Sequence, residues 1–201
     1  MARIISERAD HTDQVVVLPA SIETPGQIPA STYGIFLIAL LGSIFAFFAA
    51  LVIAYVIRAG RPDFWNPIVL PRILWFSTIL MALSSMTFEV ARQLYRQGLW
   101  QASRSFVVAT AVLGAAFLAS QLTGWRDLAR QGAFMLHNPH GTFFYLFTGL
   151  HAAHLAGGLF ALAYLLYSGN KRRELVNAVC YYWHFLGVLW VALFQVLRIV
   201  S

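Results

Sequence analysis

Five apolar runs, each near or above the roughly 20 residues a helix needs to cross a bilayer, dominate the sequence. They cover residues 33–57, 67–95, 103–122, 142–167 and 177–200. The connections between them are mostly short, which makes consecutive helices antiparallel neighbours. The expected fold is therefore an all-α integral membrane protein, a bundle of five transmembrane helices. Pro67 and Pro71 both suit the opening of the second run, because a first-turn amide has no partner in any case. Ser103 is the expected N-cap of the third. Residues 1–32 mix acids, arginines and the spaced prolines Pro19, Pro25 and Pro29 with one apolar patch, Val15 to Leu18. This segment is expected to be a solvated, extended tail, and the full-length run behind it does not read as a cleavable signal peptide.

Composition agrees with that assignment. Hydrophobic residues make up 59% of the chain and charged residues 11%, against about a quarter charged in ordinary soluble domains. The net charge of +6 does not imply nucleic acid, because the basic residues form no single patch. They sit at the ends of the apolar runs, where arginine and lysine set orientation and meet anionic head groups. The tail and the second and fourth connections carry Arg3, Arg8, Arg92, Arg96, Arg104, Lys171, Arg172 and Arg173; the opposite side carries Arg58, Arg61, Arg72, Arg126, Arg130 and Arg198. That bias favours a cytoplasmic N-terminus and an outside C-terminus. The single cysteine, Cys180, can form no internal disulfide.

The fourth run holds the chain's most unusual membrane-depth residues, His151 and His154, within GTFFYLFTGLHAAHLAGG at 141–158. Being three apart, they occupy neighbouring positions on one helix face. Gly149, Ala153 and Gly157 recur every fourth residue and offer a smooth face where another helix can come close. Ionisable groups at this depth are functional candidates, and two readings stand side by side. One is metal or haem ligation, with His184 on the fifth run, or His137 and His140 before the fourth, completing the set. The other is that the imidazoles hydrogen-bond across helices or reach lipid head groups at the interface. His184 lies in the aromatic cluster Tyr181-Tyr182-Trp183-His184-Phe185, followed by Trp190, which reads as a packed helix contact. Glu89 is the one acid inside any of the five runs. With Arg92 and Gln93 three and four positions on, it forms a local interfacial pair or, alternatively, serves proton uptake. No phosphate-cradling glycine loop, nucleophile elbow, metal-spaced cysteine cluster or chain of buried carboxylates is present. Such a chain reads as a partner of something larger.

Together these residues resemble subunit III of the haem-copper terminal oxidases, the cytochrome c and quinol oxidases of respiratory chains. The fourth run, Gly141-Thr142-x-Phe144 through Thr148-Gly149-x-His151-x-x-His154, is similar to that family's G-[ST]-x-F…T-G-x-H-G-x-H. The fifth, Trp183-His184-Phe185 with Trp190, is similar to its W-H-F-x-D-x-x-W. Ser84-Ser85-x-Thr87, Phe117-Leu118-x-x-Gln121 and Tyr33-Gly34 match in family order, so the resemblance covers residues 33 to 200. It implies the shorter bacterial form, with five helices, a cytoplasmic N-terminus and a periplasmic C-terminus, in the inner membrane. It also implies a non-catalytic subunit with no cofactor of its own, which packs on the haem- and copper-bearing subunit I and binds phospholipid. Subunit II, small subunits and a respiratory supercomplex are further implied partners. His151, His154, Gly149, Gly157, Trp183, His184 and Trp190 become structural, lipid or subunit contacts, and Glu89 an interfacial acid. Three family acids are missing: Ile44, Gly124 and Gly187 stand at their positions, which implies a weakened proton-collecting role. The rival readings are a haem-carrying membrane anchor of another respiratory complex, using His151 or His154 with His184, and a small transporter.

Overall fold

The structure, a computed structural model, describes residues 30–60, 70–130, 139–168 and 173–200. They form five helices: α1 (Ala30–Ala59), α2 (Ile73–Arg96), α3 (Trp100–Arg130), α4 (Pro139–Ser168) and α5 (Arg173–Val200). All five are long and apolar enough to cross a membrane. Most of the expected tail, with His137 and Pro67, lies outside the described residues.

Helix ends differ from the expected ones. α1 opens at Ala30 and α5 at Arg173, three and four residues earlier than hydropathy placed them. α2 opens later, at Ile73, after a tight turn in which the carbonyls of Pro71 and Arg72 accept from the amides of Leu74 and Trp75, both at 3.1 Å. Ser103 is not an N-cap. It lies inside α3, where its amide donates to the Leu99 carbonyl and its hydroxyl donates across to the Ala91 carbonyl of α2 at 2.8 Å. α3 also runs on through Thr123-Gly124 to Arg130, so the first eight residues of the expected long connection are helix. Gly124 and Leu128 bury against the bundle there, and Asp127 and Arg130 pair at 3.8 Å one turn apart. Its 31 residues span about 46 Å, well beyond the hydrocarbon core of about 30 Å.

α2 and α3 form a tight hairpin. α2 ends in a left-handed cap: Gly98 has φ 81°, its amide donates to the Tyr95 carbonyl, and the Leu99 amide donates to the Leu94 carbonyl at 3.0 Å. That bond pattern satisfies carbonyls the helix end would leave open and reverses the chain within three residues. Tyr95 and Trp100 then close edge-to-face at 5.5 Å.

α5 is the packing centre, in contact with α1, α2 and α4, while α3 lies against α2 and α4. α1 rests on α5 and α4 and is the most exposed span, with Ile35, Phe36, Ile38, Phe45 and Ile53 facing outward. The closest helix approaches are not at the face expected from Gly149, Ala153 and Gly157. A methyl group at Gly149 or Gly157 would have 3.8 or 3.9 Å of clearance, and Gly157 and Ala153 are exposed. Helix α4 instead buries the stripe Phe144, Phe147, His151, Leu155, Gly158 and Leu162. The expected face is two residues out of phase with it, about 200° round the helix. The tight points are Gly114 and Gly158, where a methyl group would come within 2.8 and 3.0 Å of the Trp183 ring.

Candidate functional site

One set of interior polar groups lies along α2 and its contacts with α3 and α5. An indole N–H without a partner is costly in hydrocarbon, and both buried tryptophans of α5 find one on α2. Trp183 donates to the Ser84 hydroxyl and Trp190 to the Thr78 hydroxyl, each at 3.0 Å. The Ser84 hydroxyl in turn donates to the Thr110 carbonyl of α3 at 3.1 Å, and Thr87 and Thr110 share a hydroxyl contact at 2.9 Å. Further along, Gln121 of α3 donates to Ser77 at 3.0 Å. Serine and threonine thus hold three helices together by satisfying one another's polar atoms.

The histidines divide into separate environments. His151 is fully buried between Phe117 at 5.8 Å and Trp190 at 5.3 Å, and neither ring nitrogen has a hydrogen-bond partner among the described residues. His154 meets α1 instead. Its Nδ1 donates to the Leu150 carbonyl at 2.7 Å, its ring meets Phe48 of α1 at 5.6 Å, and its backbone carbonyl accepts from the Tyr182 hydroxyl at 2.9 Å. His140 packs against Tyr55 of α1 at 5.8 Å. His184 turns towards α2, where Nδ1 shares a hydrogen bond with the Ser85 hydroxyl at 3.2 Å and Nε2 approaches Glu89 at 3.5 Å. His151 meets α5 at Trp190, six residues and about 9 Å further along the axis than His184. The geometry therefore does not bring His151 and His184 to one ligand.

Glu89 is more than a local pair. Arg92 clasps it through two bonds, Nη2 to Oε1 at 2.8 Å and Nε to Oε2 at 3.0 Å, and Gln93 adds a third at 3.2 Å. Across the helix interface Oε2 also meets His184 and, at 3.8 Å, the Cys180 thiol. Arg92 leans on Tyr181, its guanidinium 5.4 Å from the ring centroid. One acid thus ties α2 to α5 near the end of both helices.

No family model matches the chain. Individual proteins do. A probable cytochrome c oxidase subunit 3 of Mycobacterium tuberculosis is 30% identical over 187 residues, covering 88% of this chain and 90% of the relative. The chain belongs to the cytochrome c oxidase subunit 3 family. A Nocardia farcinica relative of the same description is 28% identical over 190 residues, 90% of this chain and 91% of its own. A cytochrome bo(3) ubiquinol oxidase subunit 3 of Pseudomonas aeruginosa is 26% identical over 168 residues, 81% of this chain and 78% of its own.

Two of the positions where this subunit 3 chain lacks an expected acid have a packing explanation. At Gly187 a side chain would begin 3.2 Å from the Ser85 hydroxyl, and at Gly124 it would begin 3.3 Å from Ile73. Both glycines set α2 close against its neighbours, leaving little room for a carboxylate. Ile44, at the third position, is buried. Sequence reasoning missed Gly114 and Gly158 as the seat of Trp183, and missed Cys180 as a neighbour of Glu89. The first signal was visible only as one more small residue; the second needs the relative rotation of α2 and α5.

Proposed function

We propose that the chain is the non-catalytic subunit III of a respiratory haem-copper oxidase, a multi-pass scaffold in the bacterial inner membrane that steadies subunit I and holds phospholipid. Haem and copper belong to the partner subunits. The observation that carries this reading is the use made of the family's own signature residues. Trp183, Trp190 and His184 spend their polar atoms on Ser84, Thr78, Ser85 and Glu89 of the same chain, which is what a packing role requires. A haem anchor using His151 of α4 and His184 of α5 is disfavoured because His151 meets α5 at Trp190, about 9 Å along that helix from His184.

The lipid role is supported by an open apolar groove between α1, α4 and α5, lined by residues such as Phe36, Leu40, Gly157, Ala161, Val179 and Tyr182. Exposed Gly157 keeps this groove open, and its lining suits an acyl chain. Orientation follows from the charge bias, with the N-terminus and the α2–α3 turn on the cytoplasmic side.

An affinity tag on this chain tests the proposal in native membranes solubilised in mild detergent. The tagged chain should draw down a larger haem-containing subunit and oxygen-reducing activity. Recovery of the chain without haem protein would contradict the assignment.

A further inference from the structure

We propose that Glu89, Cys180 and His184 form a binding site for a divalent cation of the zinc class, clamping α2 to α5. Their ligand atoms all lie within 4.8 Å of one another. Oε2 of Glu89 is 3.5 Å from Nε2 of His184 and 3.8 Å from Sγ of Cys180. Ligand bonds of about 2.0 Å to nitrogen and oxygen and about 2.3 Å to sulfur, at tetrahedral angles, leave ligand atoms about 3.3 to 3.5 Å apart. The 3.5 and 3.8 Å spacings lie within about 0.3 Å of that scale. Cys180 and His184 are four apart, so one face of α5 presents both, and Glu89 closes the site from α2.

The surroundings are those of a metal site. Ser85 holds Nδ1 of His184 at 3.2 Å, fixing the ring so that Nε2 faces Glu89; a carboxylate or hydroxyl at the far nitrogen is the usual support for a metal-bound imidazole. The site is reachable. Glu89 is seven residues from the end of α2 and Cys180 seven from the start of α5, which puts both about 10 Å inside their helix ends. The side chains of Glu89 and His184 are about one third exposed, at 31% and 35%.

Arg92 is the competing cation, and the geometry accommodates it. It keeps Oε1 through Nη2 while Nε gives up Oε2, and its other face already rests on the Tyr181 ring and hydroxyl. Entry of the ion raises the local charge by one. The thiol of Cys180 loses its proton to solvent, Zn–S, Zn–N and Zn–O bonds to Cys180, His184 and Glu89 replace bonds from the ion to water, and Glu89, the thiolate and Zn²⁺ with Arg92 leave a net charge of +1 in place of zero. Thiolate and imidazole select zinc-class ions over Mg²⁺ or Ca²⁺, which take all-oxygen sites.

The full-length chain, purified in detergent and stripped with chelator, is titrated with Co²⁺ and then Zn²⁺. Because the chain has one cysteine, a thiolate-to-cobalt charge-transfer band reports Cys180 alone. The expected result is one ion per chain, with that band, displaced by Zn²⁺, and a Zn²⁺-dependent rise in melting temperature. Cys180→Ala, a mild change in a helix, should abolish the band and the rise, and Ser85→Ala should weaken binding about tenfold. Absence of uptake by the folded chain, or equal affinity in Cys180→Ala, which would mean an adventitious ion only, would overturn the proposal.

Discussion

The Trp183 ring lies against both Gly114 of α3 and Gly158 of α4, so that a β-carbon would come within 2.8 Å of it at Gly114, where something must shift, and within 3.0 Å at Gly158. An indole is rigid, so an added methyl group has to move a helix rather than a side-chain tip. Gly114→Ala should therefore destabilise the chain by about 1–3 kcal/mol, the usual cost of overpacking a tight core. Gly157→Ala, with 3.9 Å of clearance, should be neutral or slightly stabilising, because alanine is the better helix former. Thermal unfolding of both variants in the same detergent checks the pair; equal losses would remove the distinction between packed and open glycines. At Glu89 the bonds from Arg92 and Gln93 and the contact with His184 describe a structural node. Glu89→Gln should leave the oxygen consumption of the assembled oxidase nearly unchanged while lowering the melting temperature of the chain. A large fall in turnover would instead give Glu89 a part in proton uptake.

At the scale of elements, hydropathy made all five helices legible, because length and apolar content are what a membrane demands. Their ends were less so. Thr123-Gly124 looks like a stop, yet α3 continues because Gly124 fits against Ile73 and Leu128 is buried, information carried by a neighbouring helix rather than by local sequence. The face of α4 was legible as a spacing but not as a direction. That helix is apolar nearly all round, so no polar side marks which small residues turn inward, and Gly149, Ala153 and Gly157 were as eligible as Gly158. The polar links from α5 to Ser84, Thr78 and Ser85 were invisible for the same reason: they depend on the relative rotation of two helices. The turn between α2 and α3 is a local matter, and Gly98 is its one left-handed residue. Gly98→Val should cost about 1–2 kcal/mol, since a β-carbon is crowded in that conformation. Thermal unfolding measures it, and an unchanged melting temperature would argue against the left-handed cap.

For the whole molecule, the arrangement is of a chain that uses its interior to hold itself together and its outer surface to meet others. α5 gathers α1, α2 and α4 around two tryptophans whose N–H groups are satisfied on α2. α1 turns a row of large apolar side chains outward, and the groove it forms with α4 and α5 is apolar throughout its lining. Such surfaces fit lipid tails and the flank of a larger membrane subunit. The missing acids at 124 and 187 fit the same picture, in which close helix packing has taken the place of titratable groups. The central claim is that this chain carries no redox centre, and the most direct measurement is the absorption spectrum of the chain after it has been separated from its oxidase. The spectrum should show protein absorption without a Soret band. A Soret band that persists through separation and is lost in His151→Ala or His184→Ala would contradict the account.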